Sequence, residues 1–407
     1  MSEWRETNFG EVIDVINGFA FKSANFLENM TTNSLPVIKI KNVANGNVHL
    51  NGVQYHAYSK NLLKYIVKKD DVLVALTGNH PQAETQVVGL TSRYKLNCTA
   101  LINQRVAKVI SRNEETLSTD YIYYFLKDTN THLYLASRSS GSANQANISK
   151  SDIENIPFSL PSEIEQKAIA NVLISLDNKI DLLHRQNKTL EAMTETLFRQ
   201  WFIVEAKEDW KKGTLGDVSV NIRDSIKADD VQLNCKYVGL EHIERKNIAL
   251  EKYGLGGEIS SNKYSFKETD ILFGKLRPYF HKVCFTPFTG ICSTDILVIR
   301  PINKEWFAFC LFLFFQNDVV EFANLSSGGT RMPRTDWGTL KTYPITIPDY
   351  ETINRFNSLA LPSIDRIKSN IKQIQILEKL RDNLLPKLMS GEVRVKYTPT
   401  ESVENRP

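Results

Sequence analysis

The sequence predicts an α+β fold: two pseudo-repeated domains with mixed, curved β-sheets and helices, separated by two long helices that form an antiparallel coiled coil. One passage occurs twice, as GSANQANISKSDIENIPFSLP from Gly141 to Pro161 and as GGTRMPRTDWGTLKTYPITIP from Gly328 to Pro348. A glycine and two prolines fall at matching places in both, 187 residues apart. A chain of 407 residues is also too long for one ordinary core, so two or more domains are expected.

The repeat extends over most of the chain. The matching elements are Trp4 and Trp210, Gly10 and Gly216, Asp71 and Asp270, and the runs YIYYFL at 121–126 and AFCLFL at 308–313. Their offsets fall from 206 to 199 to 187 residues, which indicates one structural plan with shorter loops in the second copy.

Each copy consists of a mixed part and a long helix. Short β-branched and aromatic segments such as PVIKI and DVLVAL, broken by Gly, Asn and Pro, predict strands and turns in the mixed parts. We therefore divide the chain into domain 1 (1–161), long helix 1 (162–207), domain 2 (208–348), long helix 2 (349–395) and a flexible tail (396–407).

Heptad spacing predicts that long helix 1 forms a coiled coil. The segment from Glu163 to Phe202 contains neither Pro nor Gly, and Ser162 is a suitable N-cap. The predicted seam residues are Ile169, Leu173, Leu176, Ile180, Leu183, Asn187 and Leu190. A polar Asn187 in an apolar seam is expected to fix register and partner rather than to add stability.

Long helix 2 carries a matching apolar stripe. Its predicted seam residues are Ile364, Ile367, Ile371, Ile374 and Leu377. We expect the two helices to pair with each other, antiparallel, because each leads away from one mixed domain; pairing between two chains in a homodimer is the alternative. At 1.5 Å per residue a forty-residue helix is about 60 Å long, so the pair could hold two domains at a set separation along a DNA duplex.

The loop between two apolar runs in domain 2 is a candidate DNA-contact segment. It lies in DILFGKLRPYFHKVCF, from Asp270 to Phe285, and mixes basic with aromatic side chains. Lysine suits phosphate and arginine suits base edges, whereas a solvated hairpin tip is the plain alternative. The candidate residues are Lys275, Arg277, Tyr279, His281 and Lys282.

Domain 1 carries different polar residues at the corresponding places. Its loop TGNHPQAET follows the aligned strand, and in the repeated passage Asn144 lies opposite Arg331 and Asn147 opposite Arg334. The candidate residues of domain 1 are Lys39, Lys41, Asn79, His80, Gln82, Asn144, Gln145 and Asn147. Asn and Gln pair well with adenine, and Arg with guanine. Two copies of one scaffold could therefore read two different short sequences.

Motifs for catalysis are missing from the sequence. It contains no GxxxxGK[ST], no HExxH, and no Asn-Pro pair with which the NPP[FY] motif of amino-methyltransferases begins. Glu205-Ala-Lys207 has the ExK spacing of a nuclease but no Pro-Asp ahead of it. The seven histidines and five cysteines show no zinc-ligand spacing. We therefore expect a non-catalytic chain that binds neither metal nor cofactor.

Composition and hydropathy predict a soluble cytoplasmic protein. The net charge of +4 permits nucleic acid as a partner but does not argue for it. The most apolar run, WFAFCLFLFF from Trp306 to Phe315, is shorter than the roughly 20 residues of a bilayer helix. The polar segment MSEWRETNFG at the start of the sequence predicts no signal sequence, and no membrane partner is expected.

Four segments together resemble one known family. They are NGFAFKSANF (17–26), PVIKIKNV (36–43) followed by Gly46, SGSANQANIS with its IPFSLPSEIEQ continuation (140–166), and LRDNLLPKLMSGEVRV (380–395). With them, nearly all of residues 1–395 resembles the specificity (S, or HsdS) subunit of a type I restriction–modification enzyme. The second copy departs from the pattern, because TRMPRTD stands where the first copy has ANQANIS.

The resemblance implies two target-recognition domains, each binding one half of a bipartite double-stranded DNA site, with the coiled coil setting the gap. It also implies two methyltransferase (M) subunits that use S-adenosylmethionine, and restriction/motor (R) subunits that use ATP and Mg²⁺. The chain itself would be non-catalytic. The alternatives are a coiled-coil adaptor that binds only proteins, and a specificity chain of a combined methyltransferase–nuclease system.

Overall fold

The computed structural model describes residues 4–43, 46–79, 88–142, 145–259, 261–326 and 332–395. The chain forms two compact units. Unit 1 comprises Met1–Lys179 with Leu377–Pro407, and unit 2 comprises Ile180–Ile376. Each unit therefore combines one mixed α+β region with the beginning of one long helix and the end of the other.

The strands of unit 1 are short. They are β1 (Arg5–Asn8), β2 (Ile13–Asn17), β3 (Ser34–Ile38), β4 (Gly46–Asn47), β5 (Gln54–Ala57), β6 (Ile66–Val67), β7 (Val72–Ala75), β8 (Thr77–Gly78), β9 (Thr91–Arg93), β10 (Ala100–Ile102), β11 (Val106–Ser111), β12 (Ser140–Ser142), β13 (Gln145–Asn147) and β14 (Pro157–Leu160). They form sheets in the orders β1-β14, β5-β3-β10-β6, β2-β11-β7-β9-β4 and β12-β13-β8.

Unit 2 contains a second set of short strands. They are β15 (Lys211–Thr214), β16 (Ser219–Ile222), β17 (Ser225–Ile226), β18 (Lys236–Val238), β19 (Gly254–Leu255), β20 (Lys263–Phe266), β21 (Ile271–Gly274), β22 (Val283–Phe285), β23 (Gly290–Cys292), β24 (Ile296–Pro301) and β25 (Pro344–Ile347). Their sheet orders are β15-β25, β16-β24-β21-β22 and β17-β20-β23-β18-β19.

The two units share one topology. The order β5-β3-β10-β6 of unit 1 recurs as β19-β18-β23-β20, with a parallel pair in the middle of each, and β2-β11-β7-β9 recurs as β16-β24-β21-β22. Glycine is required sterically at Gly10, one of the matching positions of the repeat, because a Cβ there would lie 2.7 Å from Cβ of Glu154. The predicted duplication and its mixed sheets are confirmed.

The helices complete both units. Short helices are α1 (Thr119–Lys127), α2 (Thr129–Ser137), α3 (Lys150–Glu154), α5 (Leu215–Val218), α6 (Phe307–Phe314), α7 (Asn317–Leu325) and α8 (Trp337–Leu340). The long helices are α4 (Glu163–Arg199), extended by a π-helical turn at Gln200–Val204, and α9 (Tyr350–Met389). Ser162 begins α4 as predicted, since its Oγ accepts a hydrogen bond from the Glu165 amide at 3.4 Å.

The two long helices pair antiparallel within the chain. In unit 1, Ile169 and Leu173 of α4 share a core with Leu385 and Leu388 of α9. In unit 2, Phe198 near the end of α4 shares a core with residues from the first part of α9, namely Ile353, Phe356, Ala360, Ile364, Ile367 and Ile371. The predicted antiparallel pairing is confirmed.

Most predicted seam residues are buried. Ile169, Leu173, Ile180, Leu183, Asn187, Ile364, Ile367, Ile371 and Ile374 are buried, whereas Leu176, Leu190 and Leu377 are half-buried. Asn187 meets Asn370, whose Nδ2 donates to the Asn187 Oδ1 at 2.8 Å and to the Gln186 Oε1 at 2.9 Å. The sequence predicted the polar seam residue Asn187 but not its partner.

The apolar run of domain 2 is core, as the sequence predicted. Every residue of α6 is buried. Among the described residues, no single helix is long and apolar enough to cross a membrane; only the segments Lys304–Phe314 and Asn317–Leu325, bent by 68° to each other, pass that test as a pair.

In both units a tryptophan ahead of the first strand, here called the tryptophan anchor, donates a hydrogen bond to a carboxylate at the start of a long helix. In unit 1, Nε1 of Trp4 donates to Oε2 of Glu165 at 2.8 Å, and Arg394 pairs with the same carboxylate at 2.6 Å. In unit 2, Trp210 donates to Asp349 at 3.0 Å and Lys207 pairs with Asp349 at 2.9 Å. Each unit thus joins its first strand to the start of one long helix and to the segment that follows the other.

Unit 1 contains a buried ionic cluster that links α1 to both long helices. Oδ1 of Asp177 accepts from Arg381 at 2.9 Å, and Oδ2 accepts from the Tyr124 hydroxyl at 2.9 Å and lies 3.8 Å from Nζ of Lys127. Burial opposes ionisation of Asp177, but Lys127 and Arg381 outweigh it and hold its pKa below the usual value. Burial, only partly offset by Asp177, lowers the pKa of Lys127.

We expect Asp177→Asn to destabilise unit 1 by about 3–5 kcal/mol at pH 7, because it leaves buried cations without their counter-charge. Folding lowers the pKa of Asp177 below its ordinary value of 3.8, so the ionised carboxylate stabilises the folded state at pH values above 3.8. This stabilisation is lost as the pH falls through the folded-state pKa. The difference between wild type and variant should therefore shrink below about pH 4. Hydrogen exchange of α1 amides under urea, at pH 7 and at low pH, measures it.

The matched control is Asp365→Asn, which removes an exposed carboxylate that lies 3.6 Å from Lys368. Asp365 is 72 % exposed and Lys368 keeps a second partner in Glu268 at 3.4 Å, so this variant should change little. Equal losses for the two variants, or a loss for Asp177→Asn that persists unchanged at low pH, would contradict the role of the cluster.

Candidate nucleic-acid interface

The basic loop of unit 2 joins two paired strands, as the sequence predicted. Strands β21 and β22 are antiparallel, with Phe273 opposite Val283. The Gly274 amide donates to the Lys282 carbonyl at 2.9 Å and closes the hairpin. Lys275 follows directly, and its amide donates to the carbonyl of Asp295 at 2.8 Å.

The repeated passage lies against this loop. The Arg277 amide donates to the Pro333 carbonyl at 2.8 Å, and the Thr335 amide donates to the Lys275 carbonyl at 3.1 Å. Leu276 and Arg334 form an isolated antiparallel bridge. Two segments that the sequence named separately, 275–277 and the one containing Arg334, therefore form one surface feature.

Three cations and one carboxylate meet there. Nη2 of Arg334 lies 2.6 Å from Oδ1 of Asp295. The pKa of Lys275 is lowered, first by burial and next by the positive charge of Arg334, with Asp295 acting in the opposite direction and Arg223 adding to the depression. The exposed Arg223 and the carboxylate of Asp295 belong to this cluster, and neither was predicted from the sequence.

Arg277 has an unusual backbone and an unsatisfied donor. Its φ of 50° lies in the left-handed region, directly before the 3-10 turn Pro278–Phe280. Its Nε is buried and has no hydrogen-bond partner. Beside it, Tyr279 is exposed, and the guanidinium of Arg245 lies 3.7 Å from the centre of the Phe280 ring.

Two candidates of this loop make contacts within the protein. His281 is 4 % exposed and packs edge-on against Phe315, with ring centres 4.9 Å apart. Burial and then Lys246 lower its pKa, which favours the neutral ring. Lys282 donates from Nζ to the Leu240 carbonyl, and burial lowers its pKa. We do not retain His281 among the proposed DNA contacts, because its ring lies in the interior.

The corresponding region of unit 1 is built in the same way. Strand β13 pairs with β8, placing Asn147 opposite Thr77, and the Thr77 hydroxyl donates to Oδ1 of Asn147 at 2.7 Å. Nη1 of Arg105 donates to the same oxygen at 3.3 Å. Asn79 follows β8, and its carbonyl accepts from the Val88 amide at 3.2 Å. The segments 77–79 and 145–147 therefore lie together.

Gln145 lies in β13 and is part of this sheet. Four further candidates, His80, Gln82, Asn144 and Arg331, lie outside the described residues. Arg105 was missed because it precedes strand β11 and belongs to no recognisable motif. Its structural counterpart Asp295 directly precedes the corresponding strand β24, and the sequence predicted neither residue.

Two further candidates of unit 1 have no counterpart in unit 2. Nζ of Lys39 donates to Oε1 of Gln54 at 2.7 Å and lies 4.1 Å from the centre of the Phe26 ring. Burial and then Lys41 lower the pKa of Lys39, against the charge of Glu28. Lys41 is exposed and donates to the Gly52 carbonyl at 2.7 Å. The aligned positions of the second copy carry Gly and Glu.

Within the described ranges, no three His, Cys, Asp or Glu side chains are grouped as metal ligands. The five cysteines are free thiols, and Cys284, Cys292 and Cys310 are buried. Burial raises the pKa of the Cys292 thiol to about 12, and that of Cys284 and Cys310 further. These thiols are core residues rather than nucleophiles.

The duplicated topology agrees with a family model. The model for the type I restriction modification DNA specificity domain matches residues 1–192 and again 207–382. The chain belongs to this family. It is the specificity subunit of a type I restriction–modification system, with two target-recognition domains, and such subunits are the non-catalytic part of their complexes. The resemblance noted in the sequence is confirmed.

Individual relatives match over almost their whole length. The chain is 26 % identical to the type I restriction enzyme MjaIX specificity subunit of Methanocaldococcus jannaschii, over 97 % of each chain. It is 22 % identical to the HindI specificity subunit of Haemophilus influenzae, over 97 % of this chain and 100 % of that one.

A solved structure shows the same fold. The crystal structure of a type I restriction–modification S subunit from M. genitalium superimposes with a TM-score of 0.58 at 16 % identity. The match covers 95 % of this chain and 96 % of that one.

We expect Arg277→Ala to weaken binding of a cognate duplex by about 1–3 kcal/mol, if the arginine makes a bidentate contact to guanine. Fluorescence anisotropy with the specificity subunit in its complex measures the change. The matched control is Arg112→Ala in unit 1, which removes an exposed arginine 3.1 Å from Asp14. An unchanged footprint and affinity for Arg277→Ala would remove this residue from the interface.

Proposed function

We propose that the chain directs its restriction–modification complex to a bipartite site in double-stranded DNA. In this proposal residues 1–161 and 208–348 are the two target-recognition domains, and each binds one half of the site. The helical segments 162–207 and 349–395 set the gap between the halves, and 396–407 is a tail outside the described residues. The supporting observation is that one framework holds different polar side chains in the two units.

The contrast between the units supports reading of two different sequences. At the paired-loop position unit 1 has Asn147 and unit 2 has Arg334, and the main-chain bonds around both are alike. Asparagine suits adenine and arginine suits guanine. Lysines such as Lys41 and Lys275 suit phosphate, which positions a duplex without reading it.

We further propose that the chain binds two methyltransferase (M) subunits and the restriction/motor (R) subunits, and that it works in the cytoplasm with no membrane partner. S-adenosylmethionine would be held by the M subunits, and ATP with Mg²⁺ by the R subunits. Membership of the specificity family supports this division of labour. A combined methyltransferase–nuclease partner is the alternative, and its presence beside this chain in a purified complex would identify it.

The competing class of function is an adaptor that binds only proteins. A DNA-binding chain should bind random duplex with an affinity that falls steeply as the salt concentration rises, because each phosphate contact releases counterions. Each contact adds about −0.9 to the slope of the logarithm of the binding constant against the logarithm of the salt concentration. An anisotropy titration between about 50 and 200 mM salt measures this slope. An affinity too weak to measure at the lowest salt would support the adaptor.

Single-molecule sequencing of methylated adenines, in cells with and without the chain, tests the site itself. The proposal predicts that a two-part methylated motif is present with the chain and is lost without it. An identical set of methylated adenines in both kinds of cell would contradict the proposal.

A further inference from the structure

Each unit contains a hydrogen-bonded side-chain pair at the same place, but the donor and the acceptor are exchanged between the units. In unit 1, Arg105 donates to Oδ1 of Asn147 at 3.3 Å. In unit 2, Asp295 accepts from Arg334 at 2.6 Å. One member of each pair immediately precedes a long central strand, β11 or β24, and the other belongs to the repeated passage. The donor therefore comes from the strand side in unit 1 and from the repeated passage in unit 2.

Main-chain bonds show that the two pairs occupy equivalent positions. In unit 2, the Lys275 amide donates to the Asp295 carbonyl at 2.8 Å, and the Lys275 carbonyl accepts from the Thr335 amide at 3.1 Å. In unit 1, the Leu76 amide donates to the Arg105 carbonyl at 2.9 Å, and the Leu76 carbonyl accepts from the Ile148 amide at 2.9 Å. In each unit, one residue thus bonds through its main chain to the strand-side member of the pair and to the residue that directly follows the other member.

We propose that this pair determines specificity in each unit, and that Asp295 is the positioning residue that directs Arg334 to a guanine. The inference deepens the proposed function and rests on it. Asp295 is itself fixed, because its carbonyl holds Lys275 and its amide donates to Oγ of Ser293 at 3.2 Å. Arg334 is 56 % exposed, so its guanidinium can reach a ligand.

The negative charge of Asp295 favours a base over a phosphate as the target of Arg334. A phosphate is an anion and is repelled by the carboxylate, whereas N7 and O6 of guanine are neutral acceptors on a base edge. A guanidinium has five N–H donors in a rigid fork. Asp295 contacts one nitrogen, Nη2, and fixes the plane of the fork, while hydrogens remain for two parallel bonds to guanine.

Unit 1 supports the same reasoning with different chemistry. Oδ1 of Asn147 accepts from both Thr77 and Arg105, so the plane of its amide is held by two donors. Both copies therefore orient the side chain at this position, although one uses a cation and the other an anion to do so.

The test uses the full-length chain in complex with its methyltransferase subunits and duplexes that carry the site found by methylation mapping. Each guanine of the half-site bound by unit 2 is replaced in turn by 7-deazaguanine, which lacks the N7 acceptor. At one position wild type should lose about tenfold in affinity, as a lost base contact requires. Arg334→Ala should lose about tenfold on the unmodified duplex and show almost no further loss on the modified one.

Asp295→Asn separates positioning from simple structure. It should reduce discrimination at that one position by about tenfold, while affinity for random duplex stays equal or rises because a negative charge is lost. The matched control is Asp14→Asn in unit 1, which removes a carboxylate 3.1 Å from Arg112; Asp14 is 53 % exposed, against 36 % for Asp295. It should leave discrimination at every position unchanged.

Three outcomes would overturn the inference alone. They are a unit 2 half-site without guanine, a strong half-site that Arg334→Ala preserves, and an Arg334→Ala effect that is equal on all duplexes and lowers the salt slope by about one, as a phosphate contact would. A wild-type complex that prefers no sequence would instead overturn the proposed function, and this inference with it.

Discussion

Burial of the apolar seam between the two long helices is the interaction on which each unit depends. In each mixed region the largest core cluster includes residues of both long helices. In unit 1, Phe9, Phe125 and Phe158 share a core with residues from the start of α4 and the end of α9. In unit 2, the buried helix α6 is covered by the end of α4 and the first part of α9. Because the helices are antiparallel, each serves both units, and the tryptophan anchors at Trp4 and Trp210 fix the same junction in each.

Because the core and the backbone hold each unit together, they must stay constant, whereas the surface side chains can change. The strand orders, the anchors and the main-chain bonds that join the paired loops are made by backbone and core groups, so they survive replacement of surface side chains. Asn147 and Arg334 occupy one position, and Arg105 and Asp295 another, with different chemistry on the same backbone.

The units differ in their interiors as well. The ionic cluster around Asp177 occurs in unit 1, whereas the corresponding residue of unit 2, Ile364, 187 residues farther on, lies in an apolar core. Divergence of this kind lets one fold serve two recognition tasks.

The sequence predicted the features that follow from periodicity and repetition: the duplication, the N-cap of α4 at Ser162, the antiparallel pairing and the burial of the apolar run, of which residues 307–315 are buried. It could not predict contacts between residues far apart in the chain. Asn370 as the partner of Asn187, Arg381 as the partner of Asp177, and Arg105 and Asp295 beside the recognition loops all depend on tertiary packing. His281 shows the opposite error, because a loop position among basic and aromatic residues suggested a surface residue, whereas its ring is buried against Phe315.

The most direct test of this dependence is a truncation after Ile376, which removes the part of α9 that belongs to unit 1 and leaves unit 2 complete. Hydrogen exchange followed along the chain should show lost protection in β1, α1 and the first part of α4, with unchanged protection in α6 and β24. A chain truncated after Val395 is the control and should match wild type. Full protection of α1 and the start of α4 in the chain that ends at Ile376 would contradict the account.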